Sequence, residues 1–394
     1  MLAKVQRLLD VNEVERRATF AMVKAESGQE LHGPLAGASV MSNWPFDVRL
    51  PSMSNYGALI SAEFRQAPDA VRRQAVSLAQ PLRELIGFLR KRQPQVVVTC
   101  ARGSSAHAAT FGKYLIERYL GVPVAEAAPS ITSVYHKDLR LDGQLFLAIS
   151  QSGRSEDLVE SASSAKASGA LTAAIVNDTE SPLAVACDLV LPMAAGPEVS
   201  VAATKTFVAS LTALLDLVAL WADDRAIKAA LDRLPDRLAS ASELDWSKGL
   251  GAQFAAGNLV ILGRGPTLAI AREASLKLKE VCNIHAEAFS GAEFQHGPIT
   301  LVSKDYPVLI FAVADAAGAN LAEVAADLCR KGASVLVTGE GHMGTRLPTL
   351  APDHPDTDTV CLIQSFYALA IRLAQHRGIN VDQPRHLRKV TRTR

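Results

Sequence analysis

Apolar positions along the chain change their spacing in a way that divides it. From Ala58 to Arg92 they recur with a helical period: Leu59, Ile60, Phe64, Val71, Leu78, Leu82, Leu85, Ile86 and Leu89, a spacing that lines one face of a helix. From residue 95 short continuous apolar runs replace it. QVVVTC (95–100) is followed by Ala101-Arg102-Gly103-Ser104-Ser105 and a helical stretch from about Ala106 to Leu120. LFLAIS (145–150) is followed by Gln151-Ser152-Gly153-Arg154-Ser155 and a helix from Glu156 to about Ser168, after which come LTAAIVND and DLVLPM. Short, fully apolar strands alternating with helices predict a parallel sheet covered on both faces.

The same grammar restarts after a polar helical stretch, DDRAIKAALDRLPDRLASASELDW. NLVILGRGPTLAIAREASLKLKE (258–280) echoes QVVVTCARGSSAHAATFGKYLIE (95–117), each placing Arg-Gly between a β-run and a helix. Superposing Arg102-Gly103 on Arg264-Gly265 gives an offset of 162 residues, which sets LFLAIS against YPVLIFAV (306–313), with ASVLVTGE (333–340) beyond it. Such self-similarity predicts a duplicated domain. The expected fold class is α/β, with two doubly wound parallel-sheet domains in tandem. The expected bounds are an extension at 1–52, a helical lead-in at 53–94, a first domain at 95–222, a helical linker at 223–250, a second domain at 251–380 and a tail at 381–394. The extension has no sustained period and reads as a poorly ordered segment, with a partner-binding arm or an over-called start at Met41 or Met53 as alternatives.

Composition narrows the function classes. The 394 residues carry 41 Lys and Arg against 40 Asp and Glu, a formal charge of +1. That balance argues against a general nucleic-acid binder, which needs a basic excess. With 48% hydrophobic and 21% charged residues the chain can bury cores, and with 5% aromatics it lacks stacking platforms for bases. The most apolar helical run, Phe207 to Ala222, is interrupted by Ser210, Thr212 and Asp216 and reads as a buried helix rather than a membrane span. Cys100, Cys187, Cys282, Cys329 and Cys361 are scattered without a Cys-x-x-Cys pair, which argues against a disulfide framework or a zinc site and for a reducing compartment. The first twenty residues lack the apolar core of a signal peptide, so a cytoplasmic location is expected.

In open parallel sheets, ligands bind where strand ends feed helix N-termini. Gly103-Ser104-Ser105 and Ser150-Gln151-Ser152-Gly153-Arg154-Ser155 put hydroxyls at two such places. Small side chains let backbone N–H groups close around an anion while the helix dipole favours its charge. These residues therefore predict a phosphate cradle, the alternative being serines that merely cap helices. No nucleotide-triphosphate loop is present. The second copy reads Val313-Ala314-Asp315 at the matching position and is expected to have lost phosphate binding. It concentrates ionisable groups instead: Arg272, Glu273, Lys277, Lys279, Glu280, His285, Glu287, Glu293 and His296. Glu273, Lys277 and Glu280 share one helix face, and AFSGAEFQHGP reads as a Gly-interrupted loop. An exposed salt-bridged face competes here with a general acid/base set. The basic tail GINVDQPRHLRKVTRTR reads as a solvated end, or as a lid that brings a lysine over the site. No zincin spacing or nucleophile elbow occurs, so no metal and no cofactor are expected.

Taken in order, these segments resemble the sugar isomerase (SIS) double-domain family, including the isomerase half of glucosamine-6-phosphate synthase and the stand-alone deaminases of the same build. The resemblance covers residues 58–394 and rests on Gly103–Ser105, Ser150–Gly153, VAATK (201–205), ASLKLKE (274–280), IHAEA (284–288), EFQHGP (293–298), VDQPR (381–385) and Lys389. It implies flavodoxin-like domains and a sugar-phosphate substrate. Ser105, Ser150, Gln151, Ser152 and Ser155 would hold the phosphate, with Gly103, Ser104, Val201 and Thr204 as further substrate contacts. Glu280 would shuttle a proton between C1 and C2, and Lys277 and Lys389 would line the site. His296 would open the sugar ring from a neighbouring subunit, which implies a homodimer with a shared active site.

The resembled synthases need a glutaminase with a cysteine nucleophile, and residues 1–52 contain no Cys. Gly153-Arg154-Ser155 also looks like the deaminases. The expected function is therefore an amino-sugar-phosphate deaminase/isomerase without glutaminase activity, turning glucosamine 6-phosphate and water into fructose 6-phosphate and ammonia. A fructosamine-6-phosphate deglycase, another aldose–ketose isomerase or a non-catalytic sensor are the alternatives.

Overall fold

The computed structural model describes residues 57–247 and 257–389; the expectations for 1–52 lie outside them. Two helices, α1 (Ala58–Phe64) and α2 (Ala67–Arg92), lead into the first sheet. The first domain then runs β1 (Val97–Ala101), α3 (Gly103–Leu120), β2 (Val124–Glu126), α4 (Ser130–Ser133), β3 (Leu145–Ser150), α5 (Glu156–Ala167), β4 (Leu171–Val176), α6 (Pro182–Ala186), β5 (Leu189–Pro192) and α7 (Lys205–Trp221). After α8 (Arg225–Ser242) the second domain runs β6 (Asn258–Gly263), α9 (Thr267–Cys282), β7 (His285–Ser290), α10 (Gly291–Gln295), β8 (Pro307–Ile310), α11 (Ala316–Arg330), β9 (Ser334–Val337), β10 (Thr345–Arg346) and α12 (Pro355–His376).

Both sheets are parallel and share one topology. The first has the order β2-β1-β3-β4-β5 and the second β10-β9-β8-β6-β7, which is the same order counted from the other edge. The duplication extends to register. Val98 lies opposite Phe146 and Ala125 in the first sheet, and Val260 lies opposite Val308 and Glu287 in the second, each displaced by the offset read from the sequence. LFLAIS is buried along its whole length because helices cover both faces of the sheet. Each order reverses between its first and third strands, and that crevice is where such sheets take ligands.

Three local expectations change. α3 starts at Gly103 rather than Ala106: Gly103 adopts φ +52°, which turns the chain from strand to helix and puts Ser104 and Ser105 in the first turn. AFSGAEFQHGP is largely not loop. Its first residues complete β7, a sheet-edge strand exposed on one side, and the next five form α10. The stretch read as a polar helical linker is a helix as expected but an amphipathic one, capped by Asp224, which accepts from Ala226 N at 2.8 Å and Ile227 N at 3.0 Å. It buries Ile227, Ala230, Leu231, Leu234 and Leu238 against α2, α7 and α12. α7 is buried nearly all round, and no described helix is long and apolar enough to cross a membrane. One continuous apolar core draws on both domains, from Leu78 and Leu115 through Leu214 to Ile270 and Phe366.

Candidate active site

The switch point of the first sheet opens into a cavity of about 340 Å³ lined from both domains and from the tail. Gly103, Ser104 and Ser105 enter from the start of α3, and Ser150, Gln151, Ser152 and Ser155 from the turn after β3. Val201 and Ala203 come from the loop before α7, Lys277 and Glu280 from α9, and Leu387, Arg388 and Lys389 from the tail.

The turn after β3 is built by its glycine. Gly153 adopts φ +61°, and a Cβ there would lie 2.0 Å from Ser181 Oγ. Its N–H donates to Ser150 Oγ at 3.1 Å, which closes the turn on itself. Ser155 is the N-cap residue of α5 yet makes no side-chain cap bond, and Arg102 before α3 makes none either. Ser181 before α6, by contrast, accepts from Ala184 N at 3.4 Å. The hydroxyl of Ser155 is thus not consumed in capping, and two helix N-termini stay open toward the cavity, which favours an anion there. In the second domain that place is taken: Asp315 Oδ1 accepts from Gly318 N at 2.8 Å at the start of α11, so a carboxylate already occupies the anion position.

Charge in the cavity is tightly allocated. Arg102 binds the buried Asp157 through Nε at 3.0 Å and Nη2 at 2.5 Å, and Arg154 pairs with Asp178 at 2.9 Å. Lys277 is buried, donates to Glu280 and lies 3.5 Å from Glu273. Burial opposes the Lys277 charge, but Glu273 and Glu280 outweigh it and hold its pKa above the ordinary lysine value. Burial likewise works to raise Glu273, and Lys277, His107 and Ser104 together hold it below the ordinary carboxylate value. Lys389 Nζ donates to Ser200 O at 2.6 Å and to Glu198 Oε2 at 3.2 Å. Arg388 alone among the lining cations has no ion pair or hydrogen bond with a described residue.

Not every sequence candidate reaches this cavity. Thr204 is fully buried and donates its N–H to Glu198 at 3.0 Å. Ser104 lines the wall but gives its hydroxyl to Glu273 Oε1 at 3.0 Å. His296 caps α10, is exposed and does not line the cavity of its own chain. His285, Glu287 and Glu293 are likewise exposed and do not join Glu280 there.

The supports escaped sequence reading. Glu63 on α1 accepts from Val199 N and from Ser200 N at 3.0 Å, fixing the loop that carries Val201. Glu198 gathers Thr204 N, Thr206 N, Thr206 Oγ1 and Lys389. Asp382 accepts from Leu59 N at 3.2 Å and Ile60 N at 3.1 Å, tying the tail to α1. His107 Nδ1 lies 2.9 Å from Glu273 Oε2. Its only sequence signal was its place three residues after Ser104, on one helix face.

Comparison with known proteins agrees with this architecture. The family model for the SIS domain matches residues 91–220 and 254–340. The chain is 33% identical to a glutamine–fructose-6-phosphate aminotransferase (isomerizing) of Caulobacter vibrioides, over 85% of this chain and 59% of that protein. It spans little more than half the length of the curated relatives it matches. Among solved structures, one provisionally named a phosphosugar isomerase from Silicibacter pomeroyi is 45% identical, with a TM-score of 0.79 over 82% of this chain and 99% of that one. The C-terminal domain of a glucosamine-fructose-6-phosphate aminotransferase from Francisella tularensis is 27% identical, with a TM-score of 0.73 over 85% of this chain and all of that one.

Proposed function

The chain belongs to the SIS domain family, and from that premise we propose that it is an amino-sugar-phosphate deaminase/isomerase acting on glucosamine 6-phosphate. The observation that carries this reading is the meeting, in one cavity, of a neutral anion cradle from the first domain and a Lys277–Glu280 pair from the second. The phosphate docks on Ser105, Ser150, Gln151, Ser152 and Ser155, at the open helix N-termini. Phosphate binding fixes the other end of an extended sugar against α9. Such positioning contributes to rate beyond the 10²–10⁴-fold expected of one general base.

In the open-chain sugar, the Glu280 carboxylate takes the C2 proton and the electrons move into the C1 carbonyl, giving an enediol-like intermediate. Return of the proton to C1 forms the C2 imine. Water adds to the imine and ammonia leaves, giving fructose 6-phosphate. Lys277 steadies the Glu280 carboxylate, and Lys389 stands at the end of the tail to meet the sugar. Because His296 does not reach the cavity of its own chain, this reading takes the ring-opening imidazole from a second copy in a homodimer.

A deglycase acting on a phosphorylated fructosamine is a second reading, favoured by Arg388. A guanidinium at the cavity wall with no partner among the described residues suits a substrate that carries an acid group besides its phosphate. Ammonia or amino-acid release from glucosamine 6-phosphate, galactosamine 6-phosphate and fructosyl-amino-acid phosphates separates the readings. Glu280→Gln should abolish turnover while sugar-phosphate binding stays measurable by calorimetry. Full ammonia release by that variant would sink the mechanism.

A further inference from the structure

Glu273 is a fully enclosed ionisable group beside the cavity. Its side chain is 0% exposed and does not line the wall. Three donors converge on it: Ser104 Oγ at 3.0 Å from Oε1, His107 Nδ1 at 2.9 Å from Oε2, and Lys277 Nζ at 3.5 Å from Oε1. Two of them belong to the other domain. Ser104 and His107 lie on the face of α3 that packs against α9, so the first domain reaches across the joint to hold this carboxylate. Facing a carboxylate, the His107 ring presents Nδ1–H as donor.

Lys277 lies between two carboxylates and sits closer to Glu280 than to Glu273. An ammonium in that position leans toward the acceptor with more vacant lone pairs. Ser104 and His107 already occupy Glu273, which leaves Lys277 to Glu280. We propose that His107, acting through Glu273 and Lys277, is a positioning residue that keeps the Lys277 ammonium on the Glu280 carboxylate. The proposal rests on the reading of Glu280 as the proton-transfer base.

Other charges facing the relay are few. Tyr367 of α12 lies near Glu273, Glu198 and Glu280, and burial first and then those carboxylates push its hydroxyl well above the ordinary tyrosine value. Glu198 also acts on Lys277 and is itself held by Lys389. Lys279 on α9 lies within the field of Glu280 but bonds Ala286 O at 2.9 Å, and Arg272 turns to Thr110 at 3.0 Å.

The test compares the pH dependence of kcat/KM for glucosamine 6-phosphate in the wild type, His107→Ala, His107→Gln and Glu273→Gln. His107→Ala frees a lone pair on Glu273, draws Lys277 away from Glu280 and should move the acid limb up by about one pH unit. His107→Gln keeps an N–H donor toward Glu273 and should return the limb most of the way. Glu273→Gln removes the competing charge and should move the limb down. An acid limb that stays fixed in His107→Ala while rate falls overturns the proposal, because a purely structural role predicts that result. The alanine and glutamine pair at 107 decides this alone if Glu273→Gln does not fold.

Imidazole NMR supplies a readout independent of turnover. The His107 ring should lose its Nδ1–H tautomer preference in Glu273→Gln, and an unchanged ring signal overturns the relay. A wild type that turns over no sugar phosphate while this ring signal shifts would overturn the base assignment and leave the His107–Glu273 link standing.

Discussion

Asp382→Ala separates the hold on the C-terminal tail from the chemistry of the cavity. α1 begins behind Gly57, which offers no side chain to cap it, and Asp382 serves two of its free N–H groups instead. A capping carboxylate contributes about 0.5–2 kcal/mol, and two bonds longer than 3 Å at a partly exposed helix end place this one near 1 kcal/mol. At about 1.4 kcal/mol per tenfold change, its loss raises the detached-tail population about fivefold. Lys389, further along the same tail, keeps its bonds to Ser200 O and Glu198 but must then order a longer free segment. Amide exchange at Leu59 and Ile60 should therefore quicken about fivefold, and kcat/KM should fall measurably, by up to the same factor. Asp382→Asn keeps an acceptor oxygen and should recover most of both. Unchanged exchange in the alanine variant would refute the cap. Quickened exchange with kcat/KM untouched would refute the link between tail and cavity.

Two further outcomes follow from packing and burial. Gly153→Ala forces a Cβ against Ser181 in a left-handed conformation. It should cost about 1–3 kcal/mol in denaturant unfolding and weaken phosphate binding together; a variant as stable as the wild type would show that the turn can relax. Burial first, and Asp232 next, raise the Asp216 carboxyl on α7 to about 6. A carboxyl raised in the folded state favours folding below its unfolded value and loses that advantage as pH climbs to about 6. Asp216→Asn should thus raise Tm at pH 7 and lose that gain near pH 4, and an equal gain at both pH values would contradict it.

The parts of the architecture that depend on local pattern were readable in the chain. LFLAIS is a strand over its full expected length, and the Arg-Gly offset carries through to strand register, because buried parallel strands must be apolar throughout. The AFSGAEFQHGP segment misled because it holds only the last three residues of an edge strand and a five-residue helix, both too short to show a period. Glu280 and Lys277 could be placed on one helix face from spacing alone. His107, Glu198, Glu63 and Asp382 could not, since their partners are backbone amides or side chains met only after the chain has folded back. The His107–Glu273 contact spans 166 residues of chain.

The joint between α3 and α9 has a consequence for inheritance. Once Glu273 of one half depends on Ser104 and His107 of the other, and one core runs through both, the repeats no longer form interchangeable modules. Replacing the first half with a foreign SIS domain would strand a buried carboxylate, and replacing the second would leave Ser104 and His107 without their acceptor. The pair is therefore expected to pass between proteins only as a single cassette, with each copy free to diverge wherever it does not touch the other.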